Sequence, residues 1–393
     1  MMAGARVVCA PSTTTKGPWV RSPGWDGVWM LSAVWLVPVV LWLSFRHGEA
    51  EGSPLDLVYF GLTALFWIGH RVSSVYLAWG TAAYRPLVRA EPVRFVVAPL
   101  LVTAACFALL LPPDDALPLR RDERFVLLAI VDYAFAAQHF AAQHFGALSL
   151  YRTRVGGDAR MRSLDRLFAL GVGGVLVIVA DVLVGSVAYQ DRWVDGWLTP
   201  SLVAEAADGI RGMATLALVV LTVAMLAAEL WAPRRSAPRM LYVLGLATMV
   251  TVALHARSPF LFLVVWTSQH WIVATGLASE TAAPARSRVV LVALVVASVL
   301  LLPFFEVEAS FDGSPTYGAW IFGSFAEALR TSSWVPALLA LGFASGFVHY
   351  LLDRSVYRFS DPAVRAAAAG LFRASGAVSR PTSARGPSAA SPA

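Results

Sequence analysis

The chain has 393 residues, 58% of them hydrophobic and only 14% charged, and its mean hydropathy of +0.64 leaves no room for a water-soluble domain. The net charge of +6 and pI near 9.6 come from arginine, because Lys16 is the only lysine. A retinal Schiff base inside a helical bundle is therefore excluded, and the absence of a basic stripe with interleaved aromatics speaks against nucleic acid as a partner.

In chain order, residues 1–25 are polar and predicted to be disordered. Their stretch PSTTTKGPWVRSPG contains no apolar core, which excludes a cleaved signal peptide. Residues 26–356 are predicted to be an all-α, polytopic membrane domain. Ten apolar runs fall at 27–45, 56–80, 94–111, 124–149, 166–188, 211–232, 239–256, 259–279, 288–305 and 334–353. Runs of about 20 residues cross a hydrocarbon core of ~30 Å at ~1.5 Å per residue. Backbone in lipid must satisfy its own hydrogen bonds, so each run is a helix. The seventh and eighth runs, separated only by RSP, must form a tight hairpin. Residues 357–374 follow as a cytoplasmic juxtamembrane segment, and the Pro/Ser/Ala-rich tail 375–393 is predicted to be disordered.

Charge bias orients the bundle. With the N-terminus cytoplasmic, the inner loops hold Arg85, Arg89, Arg152, Arg154, Arg160 and Arg162, then Arg234, Arg235, Arg239, Arg286 and Arg288. The C-terminal segment adds Arg354, Arg358, Arg365 and Arg373. The outer loops HGEAEGSPLD and FFEVEASFDG are acidic, and RRDER at 120–124 is the exception. The expected topology is N-in and C-in, in a plasma membrane of bacterial inner-membrane type, with the bilayer as the partner. Cys9 and Cys106 are too differently placed to predict a disulfide, and no zinc motif is present.

Six of the seven histidines fall within apolar runs: His70, His139, His144, His255, His270 and His349. Ionisable groups in lipid are costly and mark functional sites. Counted from the cytoplasmic helix ends at ~1.5 Å per residue, His70, His139 and His270 lie about 14–16 Å deep, and His144 and His349 about 8–9 Å deep. His255 sits at the opposite end of its run. Five histidines on four helices thus share one slab, the arrangement a bundle needs to hold a metal or cofactor between facing helices.

His139, His144, His270 and His349 are the predicted metal ligands, with His70 a catalytic base or further ligand. His139 and His144 belong to the tandem AAQHFAAQHF. Five residues turn a helix by about 140° from register, so both can serve one cavity only if two faces of a central helix look inward, and that is the expectation. Gln143 shares the stripe of His139, Thr267 lies one turn before His270, and Asp353 lies four residues after His349, where a carboxylate would orient the imidazole. Arg71 is deep for an arginine and is expected to snorkel or to meet an anionic partner such as a substrate carboxylate or phosphate. Asp132, with Asp181 and His255, forms an outer polar set that could relay protons to the slab.

An all-imidazole set backed by carboxylates suits redox iron. The expected function is a non-haem iron oxygenase, hydroxylase or desaturase acting on an apolar small molecule dissolved in the membrane (a lipid, acyl chain or carotenoid), with an unidentified electron donor. The segment HFAAQH resembles the first histidine box of integral-membrane desaturases and hydroxylases, but their HxxHH boxes are absent. A b-type haem protein with two axial histidines and a proton-coupled transporter are the alternatives.

Overall fold

The structure, a computed structural model, describes residues 17–156, 159–184, 200–256, 258–282, 286–312 and 318–372. It is 85% helical, without a strand among the described residues. Nine of these helices are long and apolar enough to cross a membrane. They are α1 (Pro23–His47), α3 (Val93–Leu110), α4 (Arg121–Val155), α5 (Ala159–Val184), α6 (Glu205–Trp231), α7 (Ala237–His255), α8 (Pro259–Ala282), α9 (Ser287–Val307) and α10 (Val335–Val356). The remaining expected span is the helix α2 (54–80), built from four abutting helical segments. It falls short in hydropathy because His70, Arg71, Ser73 and Ser74 occupy its middle. Large apolar side chains face outward on the apolar helices, among them Leu101, Leu216 and Val289 at about two-thirds exposure. A rim this apolar suits contact with lipid.

The helices assemble around α8, the most enclosed of the spans. One side of the bundle packs α7 against α1, α5 and α6; the other packs α2 on α9 and α10, and α10 on α3 and α4. α2 contains two π-helical segments, Thr63–Trp67 and Tyr76–Gly80. At the first, the widened turn is stitched by α9: Ser298 Oγ accepts from the Ile68 amide at 3.1 Å and donates to the Thr63 carbonyl at 3.4 Å. Such π-turns concentrate at functional positions, and this one lies directly ahead of His70.

Three local results differ from, or add to, the sequence expectations. Residues 17–25 are not an unstructured leader: Asp26 accepts from the amides of Val20 (2.8 Å) and Arg21 (3.0 Å), Arg21 pairs with Glu280, and Arg154 holds the Val20 carbonyl. Residues 1–16 and the tail 373–393 lie outside the described residues. The arginines of RRDER also have a local task. Arg124 is buried and donates to the carbonyls of Leu109, Pro112 and Pro113, and Arg121 to those of Leu110 and Pro112. They cap the carbonyl end of α3, where cations are favoured, so they need not obey the loop-charge bias. Finally, the segment after α10 folds back, burying Val364, Ala368 and Leu371.

At one end of α4–α7, Asp165 is buried between Arg152 and Arg239 (2.5 Å to the latter), and Arg239 also holds Glu229, which accepts from the Ser236 amide. Each of these four charges has an opposite neighbour, as burial demands.

Candidate metal site

Four histidines meet in the interior: His70 from α2, His139 from α4, His270 from α8 and His349 from α10. Each offers a ring nitrogen within 4.8 Å of the others, and all four are buried. His70 and His270 bring their Nε2 atoms to 2.7 Å, so one ring donates and the other accepts. Ring centroids of His70 lie 4.4 Å from His270 and 4.2 Å from His349, and those of His139 lie 4.9 Å from both His270 and His349.

The surrounding residues orient the rings. Ser74, four residues after His70 on the same face of α2, sets its hydroxyl 3.1 Å from His349 Nδ1. Asp353 places Oδ2 3.7 Å from Nε2 of both His139 and His349. Gln143 donates to the His270 carbonyl at 3.3 Å, tying α4 to α8 beside the site. Phe140 stacks on the His270 ring at 3.8 Å, and Tyr350 tilts against His139 at 5.0 Å. Tyr357, just past the end of α10, has its phenol pushed well above its ordinary value, first by burial and then by Asp353 and Tyr84; it stays a neutral hydroxyl.

The donor atoms fit a metal ion. His70 Nδ1, His139 Nε2, His349 Nε2 and Asp353 Oδ1 are buried without a hydrogen-bond partner, which native interiors rarely tolerate. His349 shows the pattern of a ligand, with one ring nitrogen held by Ser74 and the other left open. Metal–nitrogen bonds of ~2.0–2.1 Å hold two donors on one ion no more than about 4.2 Å apart. A spread of 4.8 Å therefore needs side-chain shifts of roughly half an ångström.

Other sequence candidates go elsewhere. His144 is not among the four: its Nδ1 lies 2.8 Å from the Tyr242 hydroxyl of α7, and its ring packs against Gly173 of α5. The angular offset within the tandem repeat decides this, because one face of α4 meets α10 while the other meets α5 and α7. Thr267 bonds back to the Leu263 carbonyl of its own helix (2.7 Å). Arg71 donates to the Gly342 carbonyl and Ser345 Oγ, each at 3.3 Å, and lies over the Trp67 ring. Asp132 sits against Gly346 of α10, one turn from His349. Of the outer polar set, Asp181 accepts from Tyr133 at 2.5 Å and His255 lies 3.4 Å from Thr215. Ser74 could have been found from its four-residue spacing to His70. Phe140 and Tyr242 reach their partners across helices, and no spacing signals that.

Comparison with known proteins gives no match to a family model, to a curated protein or to a solved structure.

Proposed function

We propose that this protein is a metal-dependent membrane oxidoreductase, its ion non-haem iron held by His70, His139, His270 and His349. The convergence of four imidazoles from four helices, three of them with a buried ring nitrogen that has no hydrogen-bond partner, carries the proposal. An all-nitrogen set of neutral ligands favours iron or copper over magnesium or calcium. Bound there, the ion would supply redox chemistry with O₂. Hydroxylation of an apolar chain would place one oxygen atom of O₂ on carbon. The other would leave as water, with two electrons and two protons from a soluble or quinol donor. Asp353 would fix the rings of His139 and His349, Phe140 would hold the His270 ring, and Asp132, two turns before His139 on α4, would stand by as a proton carrier.

A single ion is favoured over haem by the same geometry. A macrocycle separates its two axial imidazoles, whereas here the Nε2 atoms of His70 and His270 touch at 2.7 Å and two more rings crowd the same point.

Elemental analysis and an absorption spectrum of detergent-purified protein test this. One equivalent of iron without a Soret band is expected, falling to background in His139→Ala and His270→Ala. Equal metal in wild type and both variants, or a Soret band, would overturn it.

A further inference from the structure

One cavity reaches the histidine site, and its lining combines apolar side chains with a set of arginines. A cavity of about 1170 Å³ is lined on one side by α4 from Gln138 to Arg154, larger than the ~300–1,000 Å³ of ordinary ligand pockets. His139 and Asp353 are among its lining residues, and they carry unsatisfied Nε2 and Oδ1 atoms. Ala142, Gly146, Leu150, Ala274, Leu277 and Leu351 give it apolar walls, beside the polar Gln143, Ser149 and Thr153. Seven arginines line it in all, against the single carboxylate of Asp353.

Three of the arginines are engaged: Arg94 with Ser355 and Glu91, Arg152 with Asp165, and Arg154 with the Val20 carbonyl. The other four, Arg162, Arg354, Arg358 and Arg365, are exposed and form no ion pair among the described residues. They come from α5, the end of α10 and the folded-back segment after it, three separate elements converging on one mouth. Along α4 the lining extends fifteen residues beyond His139 to Arg154, about 22 Å, while on α10 Arg354 directly follows Asp353.

We propose that this cavity binds an amphiphile with a phosphate head, the phosphate held by Arg162, Arg354, Arg358 and Arg365 and the apolar chain running along α4 to His139. Four guanidiniums with no ion pair among the described residues, in a cavity whose one carboxylate is Asp353, match a multiply charged anion better than a single carboxylate, and arginine is the residue whose fork fits phosphate oxygens. The apolar walls match a chain rather than a second charged group. The substrate class named under Proposed function is thereby narrowed, and that narrowing rests on the proposed oxidoreductase. The binding site itself can be tested without metal or turnover. The phosphate can come from a membrane lipid or from a soluble acyl carrier such as a nucleotide thioester.

The test is equilibrium binding to full-length protein in neutral detergent, with oleoyl lysophosphatidate, oleoyl-coenzyme A, oleate, monoolein and inorganic phosphate as probes. Saturable one-to-one binding of a phosphate amphiphile is expected, about 10- to 100-fold tighter than oleate or monoolein and about 10- to 100-fold weaker in the double variant Arg354→Gln/Arg358→Gln, as for the loss of one or two charge-assisted contacts. Preference for lysophosphatidate assigns the lipid source and preference for oleoyl-coenzyme A the soluble one. Non-saturating binding, equal binding of monoolein or oleate, or an unchanged double variant would overturn the proposal. A cavity that binds in this way while the protein holds no metal would leave the amphiphile site standing and end the oxidoreductase. Bound iron with no selective binding would do the reverse.

Discussion

Two buried polar groups in this bundle differ in one decisive respect. At the end of α4–α7, Asp165 is flanked by Arg152 and Arg239, and Arg239 reaches on to Glu229. In the interior, four histidines and Asp353 are equally buried, yet they leave ring nitrogens and a carboxylate oxygen without partners. Burial of polarity alone does not mark a functional site. The paired network accounts for itself as a clamp between helices, with Arg239 Nε alone left over, whereas the histidines leave open several donors that could hold a metal ion.

Breaking the clamp should have the largest effect. Arg239→Met leaves Asp165 and Glu229 facing each other's environment with one cation fewer. A loss of about 3–5 kcal/mol is expected, read as a collapse of the monodisperse peak in fluorescence-detected size exclusion, with the metal content of any surviving folded fraction unchanged. His270→Ala should act in the opposite sense, abolishing bound metal while the protein still folds. Stabilisation by saturating metal, about 2.7 kcal/mol at a hundredfold excess over Kd, should then be missing from its thermal melt. Asp353→Asn should weaken metal binding about 10- to 100-fold, the usual effect of losing a carboxylate that orients a ligand, with little change in the metal-free melting temperature. The smallest effect belongs to His144→Ala. It removes one buried hydrogen bond to Tyr242, worth about 1 kcal/mol, and leaves metal stoichiometry intact. A variant at position 144 that lost its metal would erase the distinction drawn between the two groups.

The helical class was legible because lipid allows so few solutions to the backbone. That His70, His139 and His270 could meet was legible too, since rise per residue is nearly constant and each run has identifiable ends, but the same count set His349 level with His144 rather than with the three rings it joins. Rotation was not. Which face of α4 meets α10 depends on how its neighbours are arranged, so residue spacing did not reveal that His144 turns to Tyr242. Arg71 posed the same difficulty, since its hydrogen bonds to Gly342 and Ser345 and its stacking over Trp67 depend on the approach of another helix and a change in helical pitch. The exceptional arginines at 121 and 124 misled as a charge count because their donors close carbonyls that only the turn before α4 brings near.

The contact at Gly69 bears on any attempt to re-engineer the site. A methyl group at that position would stand 2.7 Å from the Leu294 carbonyl oxygen of α9, main chain that cannot rotate aside. With Ser298 fastened into the neighbouring turn, α9 acts as a gauge block that sets where the next residue, His70, can stand. Gly69→Ala should thus work as a shim, tilting α2 away and opening the 2.7 Å gap between the rings of His70 and His270 before it unfolds anything. The tolerance of this centre is machined into two bare backbones, out of reach of the side chains that decorate it.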